Sequence, residues 1–177
     1  MKKIWYAPNK LEAYGEEEIS AVVKTLRDGW LAGFGPRSIE FEEKIAKEFG
    51  KKYGVFVNSG SSACLLALAA LDLPKGCKVI TPALTFSTTL APIIQLGFKP
   101  IFIDSNLTSY VPDVTDILDA ITEDTKAIMI PNLIGNKPDW AFLKDGLKAL
   151  GRTDIVVIED SADTVCYTEE SDVSTTS

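Results

Sequence analysis

The chain has 177 residues, 46% of them hydrophobic and 24% charged, the mix of a globular chain rather than a disordered one. With 18 Lys and Arg against 25 Asp and Glu, the net charge of −7 argues against nonspecific nucleic-acid binding. Histidine is absent, which removes Ser-His-Asp and Cys-His catalysis and the common His-based zinc sites, so the chemistry belongs to other side chains or to a cofactor.

The first ten residues are basic but lack the apolar stretch of a signal peptide, and no run approaches the ~18 apolar residues of a membrane span. Cys64, Cys77 and Cys166 form no CxxC pair and leave an odd count, which points to a reducing, cytoplasmic setting. Glu16 to Gly29 reads as a helix: Ile19, Val22, Val23 and Leu26 recur at helical spacing, acids open it and glycine closes it. A Gly-rich connector carries Trp30, Leu31 and Phe34. A second helix follows from about Ser38 to Phe49.

From Tyr53 a regular alternation begins. Gly54–Val57 is predicted as a strand, Ala63–Leu71 as a helix, Lys78–Thr81 as a strand and Ser87–Leu96 as a helix. Pro100–Asp104, Ala127–Ile130 and Ile155–Asp160 read as further strands, with helices at Val114–Ile121 and Trp140–Leu150 between them. Continuously apolar strands alternating with helices predict an α/β fold, a mostly parallel sheet covered on both faces as a three-layer sandwich. The tail from Tyr167 to Ser177 is polar, without apolar period, and no element is predicted there.

Ligands of open parallel sheets bind beyond the carboxyl ends of the strands. There the chain carries Asn58-Ser59-Gly60-Ser61-Ser62, Thr85-Phe86, Asp104, Asn132 and Asp160-Ser161-Ala162-Asp163. Gly60, Ser61 and Ser62 open a helix directly after a strand, which is either an anion site or an ordinary N-cap by Ser59 or Ser61. It is neither a Walker loop nor a dinucleotide fingerprint. Asp160 ends an apolar strand, where a carboxylate calls for a partner. Phe86, at another strand end, offers a face for a flat ligand. A phosphate cradle, an aromatic platform and a strand-end acid suit a planar, phosphorylated, basic heteroaromatic, and pyridoxal 5'-phosphate fits that description.

These stretches, together with Gly15-Glu16-Glu17-Glu18-Ile19, Gly29-Trp30-Leu31, Phe41-Glu42, Thr81-Pro82-Ala83-Leu84-Thr85-Phe86 and Ile158-Glu159-Asp160, resemble the DegT/DnrJ/EryC1/StrS family. Its members are pyridoxal-phosphate-dependent enzymes of fold type I, mostly aminotransferases of nucleotide-linked keto sugars. The resemblance implies phosphate contacts at Gly60, Ser61 and Ser62, stacking by Phe86 and a pyridinium partner at Asp160. It places Asp163 where members more often carry Gln or His near the cofactor's phenolic oxygen, and Ser177 at a serine that touches the phosphate. Trp30 and Leu31 match the substrate-entrance loop, and Asn132 is expected to contact substrate.

The same resemblance implies N-terminal helices and an entrance loop over residues 1–52, and an incomplete large domain over 53–177. The small C-terminal domain and the Schiff-base lysine are expected to lie outside this sequence, so little or no transaminase turnover is expected from the chain alone. It implies a homodimer, an amino donor and a nucleotide-linked keto sugar as partners, with no nucleic acid and no membrane. Two other readings stand beside it: a sugar 3-dehydratase of the same family, and a noncatalytic module that binds the cofactor or a protein.

Overall fold

The structure, a computed structural model, describes residues 14–29, 35–164 and 171–176. Two compact units divide between Phe41 and Glu42, within helix α2. In the first, α1 (Glu16–Asp28) begins where the Glu18 carboxylate accepts the Gly15 amide at 2.7 Å. That bond holds the Glu18 carboxyl below its usual range and adds to the acidic charge that a helix N-terminus favours. Gly29 ends the helix at φ 74°, a left-handed conformation that glycine adopts without Cβ strain. Helix α2 (Pro36–Glu48) starts on a proline, whose missing N–H is no loss in the first turn.

The second unit continues with α3 (Gly60–Ala69), β1 (Lys78–Pro82), α4 (Ser87–Gln95), β2 (Lys99–Ile103), α5 (Val114–Asp119) and β3 (Thr125–Pro131). A short 3-10 turn (Leu133–Gly135), α6 (Trp140–Ala149), β4 (Val156–Asp160) and β5 (Val173–Thr175) complete it. All five strands are parallel, in the order β2-β1-β3-β4-β5. Strand alternation sends Val79, Ala127, Met129 and Ile158 to one face, where α3 and α4 cover them with Cys64, Leu68 and Ile93. Ile80, Ile128, Ile130 and Val157 face the other way, under Ile117 of α5 and Trp140, Leu143 and Leu147 of α6. The layered α/β architecture read from the sequence is the observed one. At the amino ends of the strands, Arg152 donates to Asp154 Oδ1 (2.8 Å) and to the Thr122 and Thr125 carbonyls (2.8 and 2.7 Å), clamping the start of β3 to the turn before β4. No helix among the described residues is long and apolar enough to cross a membrane.

Two expectations are corrected. The segment 54–57 has no regular secondary structure and joins no sheet among the described residues. Its Phe56 amide donates to the Glu42 carboxylate at 2.7 Å, so a donor that a strand would give to a ladder goes to α2 instead. The polar tail, in which no element was predicted, supplies β5. Only Val173 of this strand packs against the core, and Ser174 and Thr175 are held by hydroxyl–carboxylate pairs, so hydrophobic periodicity carries no trace of it.

Gly54 lies against α2 so closely that an added Cβ would stand 2.4 Å from the Glu42 carbonyl oxygen. Backbone cannot rotate away as a side chain can. Gly54→Ala is expected to destabilise the chain by about 1–3 kcal/mol, read as a lower urea midpoint. An unchanged midpoint would contradict this close approach.

Candidate functional site

Polar groups from α4, β5 and the turn after β4 converge on Asp160. This last residue of β4 shares the α3/α4 face with Ile158 and is 5% exposed. A carboxylate taken out of water is costly unless donors replace the lost hydration. Three do so. Thr89 Oγ1, from α4, donates to Oδ2 at 2.8 Å. The Ala162 amide and the Thr175 hydroxyl reach Oδ1 at 3.2 and 3.3 Å. Behind Thr175, Cys64 Sγ of α3 lies 3.5 Å from Thr175 Oγ1. Thr175 Oγ1 also reaches the Glu159 carbonyl at 3.5 Å; since a carboxylate and a carbonyl only accept, Thr175 donates toward these two and the thiol donates to Thr175. Burial and the neighbouring Asp160 carboxylate push the Cys64 thiol up to about 12.

The helices that bring Cys64 and Thr89 to Asp160 also turn their amino ends to this edge. At α3, Ser59 Oγ accepts the Ser62 amide at 3.2 Å and donates to Ser62 Oγ at 3.1 Å. The N-cap reading therefore holds for Ser62. Gly60 and Ser61, in the first turn, have amides with no intrahelical acceptor and remain available to an anion. Helix α4 starts at Phe86, with no side-chain cap. Phe86 is 71% exposed, one turn before the Thr89 that donates to the buried carboxylate. The buried hydroxyls of Thr81 and Thr85, in and after β1, have no hydrogen-bond partner. Free helix amides, a bare aromatic, a buried acceptor and unsatisfied hydroxyls form a donor set that fits a phosphorylated heteroaromatic.

Gly60, Ser61, Ser62, Phe86 and Asp160 thus share one edge and the α3/α4 side of the sheet. Asn132 is elsewhere: it is fully buried, and its Nδ2 donates to Glu159 Oε2 (3.3 Å) and Ser161 Oγ (2.9 Å), with Oδ1 unpartnered. Asp163 is exposed, and its Oδ2 accepts the Ile134 amide at 3.5 Å. Asp104 accepts the Ser105 amide at 2.9 Å, a local turn contact. Trp30, Leu31 and Ser177 lie outside the described residues. The sequence does not point to Thr89, Thr175 or Glu159 as site residues, and reads Cys64 only as a small core residue, which its burial agrees with. Thr89 and Cys64 look like ordinary residues of apolar helices, Thr175 sits in an aperiodic tail, and only Glu159, a charge inside an apolar strand, carried a visible signal.

The profile of the DegT/DnrJ/EryC1/StrS aminotransferase family matches residues 12–173. A GDP-4-keto-6-deoxy-D-mannose 3-dehydratase of Escherichia coli O55:H7 is 34% identical over 149 residues, 81% of this chain and 38% of the relative. A UDP-4-amino-4-deoxy-L-arabinose–oxoglutarate aminotransferase of Shewanella sediminis is 38% identical over 151 residues, 85% of this chain and 38% of the relative. Among solved structures, the E. coli GDP-4-keto-6-deoxy-D-mannose-3-dehydratase with bound hydrated pyridoxal phosphate superposes with a TM-score of 0.79. It is 33% identical and covers 86% of this chain and 40% of that one. The chain spans less than half the length of these relatives.

The Cys64 thiol yields a pH prediction. Its ordinary value of 9.0 is raised in the folded chain, so folding retains a proton that the unfolded chain releases. The resulting stabilisation is complete below the ordinary value and is lost as pH climbs toward about 12. Urea midpoints are expected to fall more steeply for the parent than for Cys64→Ser above about pH 9. Parallel curves would contradict the assignment.

Proposed function

The chain belongs to the DegT/DnrJ/EryC1/StrS aminotransferase family, and on that footing we propose that it is the cofactor-binding portion of a pyridoxal-phosphate-dependent enzyme acting on nucleotide-linked keto sugars. The observation that carries this reading is the buried Asp160 carboxylate, held by Thr89, Thr175 and the Ala162 amide beside an exposed Phe86. When bound, pyridoxal phosphate supplies an electron sink whose strength depends on a protonated ring nitrogen. Asp160 holds that proton at the nitrogen. The hydroxyls of Thr89 and Thr175 keep its carboxylate from turning away. Gly60 and Ser61 bind the phosphate through their amides, and Ser62 adds a hydroxyl. Phe86 covers one face of the ring and excludes water from it.

Transfer of an amino group from a donor to the keto sugar is the reaction class assigned to the whole protein, with the Schiff-base lysine and the small domain contributed from outside this sequence. A homodimer and a cytoplasmic setting belong to the same reading. The apolar side chains of Val22 and Leu26, exposed on α1, support an association surface. A sugar 3-dehydratase is the second reading. It is favoured by the likeness to the E. coli dehydratase and by the wording of Glu159-Asp160-Ser161-Ala162-Asp163 and Ser174-Thr175-Thr176-Ser177.

An absorbance titration of the 177-residue chain compares pyridoxal phosphate with pyridoxal, which lacks the anion. Saturable binding of the phosphate ester is expected, with pyridoxal weaker by at least about tenfold, the scale of losing charge-assisted hydrogen bonds. Asp160→Asn is expected to weaken both. Equal affinity for the two ligands would overturn the cradle, and absence of binding in a folded chain would overturn the reading itself.

A further inference from the structure

Asp160 is preceded by a second buried acid that the cofactor reading leaves unused. Glu159 is fully buried and, by strand alternation, lies on the α5/α6 face. Its Oε1 accepts the Ser174 hydroxyl, and its Oε2 accepts Asn132 Nδ2 at 3.3 Å. Ser174 Oγ stands 3.2 Å from Ser171 Oγ. Lys51 Nζ donates to Ser171 Oγ at 3.0 Å and to the Ser171 carbonyl at 2.6 Å.

The two ends of this chain determine its direction. An ammonium only donates, and a carboxylate with both oxygens occupied by donors only accepts. The one hydroxyl proton of Ser174 goes to Glu159, so Ser171 donates to Ser174. Three hydrogen bonds therefore run the same way, from the Lys51 cation to the buried Glu159 anion, each polarising the next. The attraction of the cation reaches an interior carboxylate without a direct ion pair, which lowers the cost of burying it.

The wire crosses the element that most needs support. Strand β5 has only three residues, paired to β4 as Ile158 with Val173, Glu159 with Ser174 and Asp160 with Thr175. Its entry is anchored by Asp172, whose carboxylate accepts the Val157 amide at 2.8 Å and Lys144 Nζ at 2.5 Å. The Glu159–Ser174 bond lies inside the strand, between residues directly opposite each other and next to Thr175. A slip of one residue would put Thr175 on the wrong face. We propose that Glu159 is a positioning residue: with Lys51, Ser171 and Ser174 it locks the register of β5 and so delivers the Thr175 hydroxyl to Asp160 across the sheet. The consequence for cofactor rests on the proposed function. The register lock does not.

Ser174→Ala and Ser174→Thr in the full chain separate the two. Hydrogen exchange is read at the Ser161 amide, which donates to the Thr175 carbonyl at 2.7 Å, and through residues 173–175. Ser174→Ala is expected to speed exchange there by about tenfold, with β1 and β3 unchanged, and to weaken pyridoxal phosphate by about tenfold. Ser174→Thr, which keeps the hydroxyl and suits a strand, is expected to restore both. Lys51→Met, outside the strand, is expected to shift both readouts in the same direction by less, and serves if the alanine variant does not fold. Parental exchange in Ser174→Ala, or no recovery in Ser174→Thr, would overturn the lock. Faster exchange with parental cofactor affinity would overturn the positioning of Asp160. A parent that binds no cofactor defeats the proposed function, while the exchange result still decides the lock.

Discussion

The organising constraint of this structure is a carboxylate placed at the dry end of a parallel strand. Removing Asp160 from water costs several kcal/mol unless its oxygens are satisfied, and its three donors, with the thiol behind one of them, come from four separate places. Thr89 requires α4 to dock on the sheet, Thr175 requires β5 to pair with β4, Ala162 requires the chain to turn at once, and Cys64 closes the cluster from α3. Docking the two helices for this purpose brings their amino ends to the same edge. The position of the Gly60 and Ser61 amides, which have no intrahelical acceptor, and of the bare ring of Phe86 follows from that packing.

Consecutive residues of a strand face opposite sides, so two adjacent acids serve two environments. Asp160 looks toward α3 and α4, where Thr89, Thr175 and Cys64 gather. Glu159 looks toward α5 and α6, where Asn132, Ser174 and a distant lysine satisfy it. The pairing Glu159 with Ser174 and Asp160 with Thr175 repeats this division in β5. In a strand of three residues, Val173 supplies the one apolar contact, and the polar side chains of Ser174 and Thr175 are matched on opposite faces.

Much of this was legible in the residues. Short apolar runs such as Ala127–Ile130 and Val156–Ile158, alternating with helices, imply parallel strands covered on both sides. Strand ends then localise Asp160, Phe86 and the Gly60–Ser62 turn without further information. What was not legible depends on partners distant in sequence. The run 54–57 has strand composition, but a contact with Glu42 takes its Phe56 amide. Val173–Thr175 lacks strand periodicity, yet pairs through side-chain hydrogen bonds that no local pattern encodes. Asn132 had the right address at a strand end and the wrong face, because alternation turns it toward Glu159 rather than Asp160.

The central claim is that Asp160 faces the ring nitrogen of a bound pyridoxal phosphate. It is tested most directly by nitrogen NMR of cofactor labelled with 15N in the ring, bound to this chain at a pH where the free ring nitrogen has lost its proton. The account predicts the chemical shift of a protonated, pyridinium nitrogen, and its loss in Asp160→Asn. A bound cofactor with an unprotonated ring nitrogen would contradict it.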